Sequence, residues 1–208
     1  MSHLHHLVLL VTSGLAIATE WKPCPELSPA LRFPCRCRLE PLGLNGALSA
    51  VAMNCDRVVF QGESPPLPSG APIIAFSQRF SGQQALPSQA FATSNLPLRD
   101  LDYSQNSIRR LPDKAFAGIQ ETLTELLLND NLLGDSLNPI FSTSEFHRLA
   151  NLRVLDLSGN KIKAIEEGIL KGCEKLQVST ERKTCSRKWN YLLMVLLGRR
   201  RLFLSLYI

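Results

Sequence analysis

Residues 98–111 read LRDLDYSQNSIRRL, and two later stretches repeat their grammar: LTELLLNDNLL over 123–133 and LRVLDLSGNKIKAI over 152–165. In the first, Leu98, Leu101, Tyr103, Asn106, Ile108 and Leu111 stand at offsets 0, 3, 5, 8, 10 and 13. Leu123, Leu126, Leu128, Asn131 and Leu133 repeat the first five offsets, and Leu152, Leu155, Leu157, Asn160, Ile162 and Ile165 repeat all six. Self-similarity of this kind marks a chain of stacked units, none of which can bury its apolar face alone. Offsets 3 and 5 alternate as strand positions do, so both point inward while offsets 2, 4 and 6 face out. Neighbouring units are expected to pair as parallel strands on a concave wall. Asparagine at offset 8 falls where the chain turns off the strand. A buried amide there can satisfy backbone groups of its own turn and of the adjacent unit, so Asn106, Asn131 and Asn160 are expected to form a ladder.

The frame extends outward in both directions with unequal success. Leu111-Pro112 with Ala115-Phe116, and Leu86-Pro87 with Ala90-Phe91, share the ending L-P-x-x-A-F. Counting back 13 from Leu86 reaches Ile73, with Phe76 at offset 3, but Gln78, Ser81 and Gln83 occupy the next three key slots. This first unit is degenerate. Starts at 73, 98, 123, 152 and 176 give spacings of 25, 25, 29 and 24, and the 29 places an insertion on the convex side between Gly134 and Phe146. Leu176 opens a further unit whose next key positions are Ser179, Glu181 and Thr184, and there the pattern stops.

Before the repeats come two other segments. Residues 1–18 read as a secretory signal peptide, with an apolar run from Leu7 to Ile17 and Ala16-Ile17-Ala18 as a small-residue cleavage site. That run is too short to span a bilayer. Residues 19–72 hold Cys24, Cys35, Cys37 and Cys55 as C-x10-C-x-C-x17-C, ahead of a Pro-rich connection. A signal followed by four cysteines reads as a disulfide-stapled cap made in an oxidising compartment. Such a cap covers apolar side chains that the first unit would otherwise show to water. Spacing leaves all three pairings open. A zinc site is the rival reading, but C-x-C lacks the usual C-x2–4-C knuckle and no histidine lies near, so no metal is expected.

Together the cap (Cys24-Pro25, Cys35-Arg36-Cys37, Cys55, then Leu67-Pro68) and the L-x-x-L-x-L-x-x-N-x-L units resemble extracellular leucine-rich repeat proteins of the 24-residue "typical" subclass. Within that family the chain looks most like insect chaoptin-type or artichoke-type adhesion and matrix proteins. The resemblance covers roughly residues 24–177. It implies an α/β-type leucine-rich repeat solenoid with a parallel concave sheet and an irregular or short-helical convex side. It also implies pairing of the first cysteine with the third and the second with the fourth, hence Cys24–Cys37 and Cys35–Cys55. About four repeats are expected over residues 73–177. Cys173 then reads as a buried free thiol filling the core.

Charge has to be divided by segment. The whole chain carries +5, but residues 178–208 contribute +6 from seven basic residues against Glu181, leaving −1 for residues 1–177. The basic balance belongs to the tail, and no nucleic-acid partner is expected of the repeats. Val178-Ser179 is a dipeptide that GTAAGT, the usual start of an intron, can encode. Residues 178–208 are therefore read as translated intron sequence that has no place in the repeat frame. The rival is a short basic contact with a membrane surface. A transmembrane span is not expected, because the apolar stretches on either side of Arg199 to Arg201 each fall short of about 20 residues.

Function is expected on the outward strand positions. The candidate binding residues are Asp100, Asp102, Glu125, Leu127, Asn129, Val154 and Asp156, a mostly acidic strip with one leucine that favours a basic protein partner. Catalysis is not expected: past the signal the one histidine is His147, and no G-x-S-x-G, H-E-x-x-H, P-loop or dinucleotide motif occurs. No cofactor or small-molecule substrate is called for. The expectation is a secreted or extracellular protein-binding module, the N-terminal part of an adhesion, matrix or receptor-type protein whose partner is itself extracellular or on a cell surface. The alternatives are a short secreted ligand or decoy and a proteoglycan-like matrix component. An uncapped last repeat is expected to show Leu152, Leu155 and Leu157 at an open edge.

Overall fold

The computed structural model describes residues 20–29, 31, 33–42, 48–60, 67–68, 70–86, 89, 91–112, 114–134, 146, 148–162, 170, 173–176 and 204–205. The expected signal peptide, His147, Ile165 and most of the tail lie outside them. A single sheet runs in chain order: β1 (Lys22–Pro23), β2 (Arg36–Leu42), β3 (Leu48–Asn54), β4 (Ile73–Ser77), β5 (Asp100–Asp102), β6 (Glu125–Leu127), β7 (Val154–Asp156) and β8 (Leu204–Ser205). The first three strands pair antiparallel, and every pairing from β3 onward is parallel. Helix is almost absent among the described residues, with one turn, α1 (Cys24–Leu27). The chain thus forms a leucine-rich repeat solenoid whose convex side is irregular.

Register converts the sequence grammar into rows of side chains. Phe76, Leu101, Leu126 and Leu155 are direct cross-strand partners, and Met53 of β3 joins the same row. All five are buried. At roughly 2 kcal/mol for a fully buried side chain of this size, such a row is a main source of cohesion between rungs. Phenylalanines of the L-P-x-x-A-F endings fill the convex side. Phe91 and Phe116 are fully buried, and Phe146 takes up the series after the insertion, its ring 6.2 Å from that of Phe116. Gly118, at φ +88°, backs onto the Phe91 carbonyl, where a Cβ would collide. This close approach needs glycine.

The cap is closed by Cys24–Cys37 and Cys35–Cys55, the pairing that the resemblance implies. Neither bridge merely staples a separate knot to the solenoid. Cys55 follows β3, and β3 is itself in register with β4, so the cap supplies a first rung of the same wall.

The expected open edge requires correction. Leu152, Leu155 and Leu157 are 0%, 0% and 1% exposed. They point into a core that continues through Leu170, Cys173 and Leu176, and β8 pairs with β7 at Leu155↔Leu204 and Asp156↔Ser205. Cys173 is a buried free thiol with its Sγ 3.0 Å from the Phe146 carbonyl oxygen. Burial pushes its pKa up to about 12.

Candidate functional site

Asparagines at offset 8 tie the rungs together behind the concave wall. The Asn131 side chain donates to the carbonyls of Tyr103 and Leu128 and accepts from the Ile108 N–H, all at 3.0 Å. Asn160 donates to Leu128 and Leu157 and accepts from Leu133, while Asn106 donates to Gln78 and Tyr103 and accepts from Ser81. Each amide reaches back one repeat, so strand positions are referenced rung to rung. The degenerate repeat is accommodated by the same device. Ser81, in the asparagine slot, has its N–H satisfied by Asn106, and buried Gln78 donates to the Val58 carbonyl.

On the front of the wall, Asp100, Asp102, Glu125, Leu127, Val154 and Asp156 are all half-buried, each flanking the buried leucine of its strand. Asp100 lies directly opposite Glu125, Asp102 opposite Leu127, and Leu127 opposite Asp156. Asp100, Asp102, Glu125 and Leu127 share one groove of about 410 Å³ with Ala75, Ser77, Arg79 and Arg99. Asn129, Val154 and Asp156 stand beyond it. Asn129 donates to the Asp130 carboxylate, and Asp156 accepts the Ser158 N–H.

Charge compensation across this face is uneven. Asp102 accepts from the Ser104 N–H and lies 3.6 Å from Arg79 Nε. Asp100 accepts a long bond from the Thr124 hydroxyl. Glu125 has no ion-pair partner among the described residues. Burial, with repulsion from Asp100 and Asp102, raises its pKa above the ordinary value. Like charges directly opposite on a sheet destabilise it.

The cap's share of this face is not evident from the sequence pattern. Trp21, Arg38 and Glu40 wall one end of the groove. The Arg38 guanidinium lies 4.8 Å from the Trp21 ring centroid and pairs with Glu40. Asp56, just past β3, accepts from Ser77 Oγ and from the backbone and guanidinium of Arg79. Burial opposes ionisation of Asp56, but these bonds outweigh it and hold the carboxyl below its ordinary value. One signal was available: 23 residues before Ile73 stands Ala50, which puts Met53 and Cys55 at offsets 3 and 5. Alanine, methionine and cysteine in leucine slots hide that rung.

Among the described residues no group of His, Cys, Asp or Glu is arranged to hold a metal ion, and no helix is long and apolar enough to cross a membrane. Residues 151–176 match the family described as Leucine Rich Repeat. The chain is similar to Toll-like receptor 8 of Homo sapiens, 37% identical over 65 residues, which is 31% of this chain and 6% of that protein. It is also similar to Toll-like receptor 9 of Mus musculus, 36% identical over 86 residues, 40% of this chain and 8% of that protein. The chain therefore spans less than a tenth of the length of these curated relatives, and what the comparisons support is a leucine-rich repeat protein.

Proposed function

We propose that this chain is an extracellular protein-binding module of receptor type, contacting a partner through its concave face. The observation that carries this reading is the register pairing of Asp100 with Glu125 on an open sheet face, where no ion pair neutralises Glu125 among the described residues. A lysine or arginine of a partner would relieve that repulsion, and Leu127 and Val154 beside it offer apolar contact area. Asp102 and Asp156 extend the acidic character, and Asn129 closes the strip. Two disulfides support an oxidising, extracellular setting. Similarity to Toll-like receptors supports a receptor role in preference to adhesion or matrix assembly.

The test is an array of purified secreted and cell-surface proteins probed with the secreted chain and with a D100N/D102N/E125Q variant. The reading expects partners with basic contact surfaces whose binding falls at least tenfold in the variant and weakens with salt. Partners indifferent to both the variant and salt would move the binding surface elsewhere.

A further inference from the structure

One residue past the last outward strand position, each rung from β3 to β7 enters the left-handed region. Arg57, Phe80, Gln105, Asp130 and Gly159 have φ of 63°, 54°, 55°, 54° and 66°. These five stand at one shared offset and so follow one rim of the wall. The later repeats fill it with glutamine, aspartate and glycine, which are polar or free of a side chain. The cap rung and first repeat place arginine and phenylalanine there instead. A bulky aromatic at positive φ is a conformational outlier that persists when something else favours it.

Burial does not explain this phenylalanine. Phe80 is 49% exposed, and Val59, two residues beyond Arg57, is 72% exposed. The Arg57 guanidinium lies 5.5 Å from the Phe80 ring centroid. No carboxylate pairs with Arg57 among the described residues, since adjacent Asp56 is engaged by Arg79 and Ser77. An aromatic in the left-handed region, apolar exposure and an arginine without a carboxylate partner among the described residues thus coincide, and arginine and aromatic side chains are enriched at protein interfaces.

We propose that Arg57, Val59 and Phe80 form a second protein-contact site, on the rim of the solenoid, for a partner loop presenting an aliphatic or aromatic side chain beside a carboxylate. The carboxylate completes the charge of Arg57 over the ring while the apolar side chain covers Phe80 and Val59. This site is separate from the acidic concave face and opposite to it in charge preference.

The test is selection of a random dodecamer phage-display library on the secreted full chain. The expected result is a peptide family carrying Asp or Glu next to an apolar residue, losing at least tenfold in affinity on F80G and on R57E and unaffected by E125Q. Glycine relieves the left-handed backbone, so F80G is expected to melt at the same temperature as the wild type or above it. Selected peptides that tolerate F80G and R57E overturn the proposal. So does a clear drop in the F80G melting temperature, which would make Phe80 a packing residue.

Discussion

The repeat at 123–133 and the degenerate repeat at 73–85 occupy equivalent rungs of one wall, yet they cohere by different means. In the later repeat, leucines at 126 and 128 fill the inward slots and buried Asn131 bonds both its own turn and the repeat before it. In the earlier one, Gln78 and Ser81 stand in apolar and amide slots, and order is supplied from outside. Asn106 reaches back from the next repeat, and Asp56 with Arg79 locks it to a cap that disulfides hold shut. A rung can depart from the repeat pattern where its neighbours satisfy its backbone.

This contrast has consequences that can be measured. The largest concerns the cap. Replacing Cys35 and Cys55 together by serine is expected to cost about 2–5 kcal/mol. Hydrogen exchange should then accelerate first at β3 and β4, with β6 protected longest. Uniform acceleration across all rungs would erase the distinction between the two regions.

Next comes the asparagine slot itself. N131A leaves the buried Ile108 N–H without its acceptor and is expected to cost about 3 kcal/mol. S81A, at the equivalent position, removes only a hydroxyl bonded to the Arg79 carbonyl, with an expected cost of about 0.5 kcal/mol. Denaturant titration of the two variants compares them directly, and equal losses would contradict the account of the first repeat.

A smaller effect belongs to Asp56. D56N is expected to cost about 1 kcal/mol at neutral pH, discounted for the partial exposure of Arg79. Because the folded carboxyl is held below its ordinary 3.8, this contribution is complete above the normal carboxylate range and is lost as pH falls through the folded pKa. Wild type and D56N should therefore converge only in strong acid, which melting curves from pH 7 down to 2 would follow.

Smallest, and opposite in sign, is Glu125. Its pKa is raised, so the fold disfavours the ionised form, and wild-type stability falls as pH rises through the folded pKa. E125Q is expected to stabilise by roughly 0.5 kcal/mol at pH 7.4, with the gain vanishing as pH falls through the raised folded pKa and Glu125 takes up its proton. A destabilised E125Q at neutral pH would mean that the acidic face is compensated after all.

Much of this architecture is legible in the chain, for a physical reason. A strand's two-residue alternation and the fixed repeat length dictate which side chains point inward. Leu101, Leu126 and Leu155 therefore declare their row by their spacing in the chain. The outward positions Asp100, Asp102, Glu125 and Leu127 follow from the same parity. What the chain hides is compensation between residues distant in sequence. Asp56 and Arg79 are 23 residues apart, and no local pattern marks either as the other's partner. Residues 50–55 conceal a rung because cysteine and methionine replace leucine where a disulfide and a larger apolar side chain do its work. The burial of Leu152, Leu155 and Leu157 likewise depends on the segment that packs after them.

Periodicity alone thus determined a parallel solenoid, its inward rows, its outward strip and the slots for its asparagines, since each follows from backbone geometry repeated at a constant interval. Only the tertiary structure decided how the cap joins the wall, which carboxylates are neutralised and which are left opposing each other, and where Arg57 meets Phe80. Those outcomes depend on distances between side chains brought together by stacking, which a one-dimensional pattern does not encode.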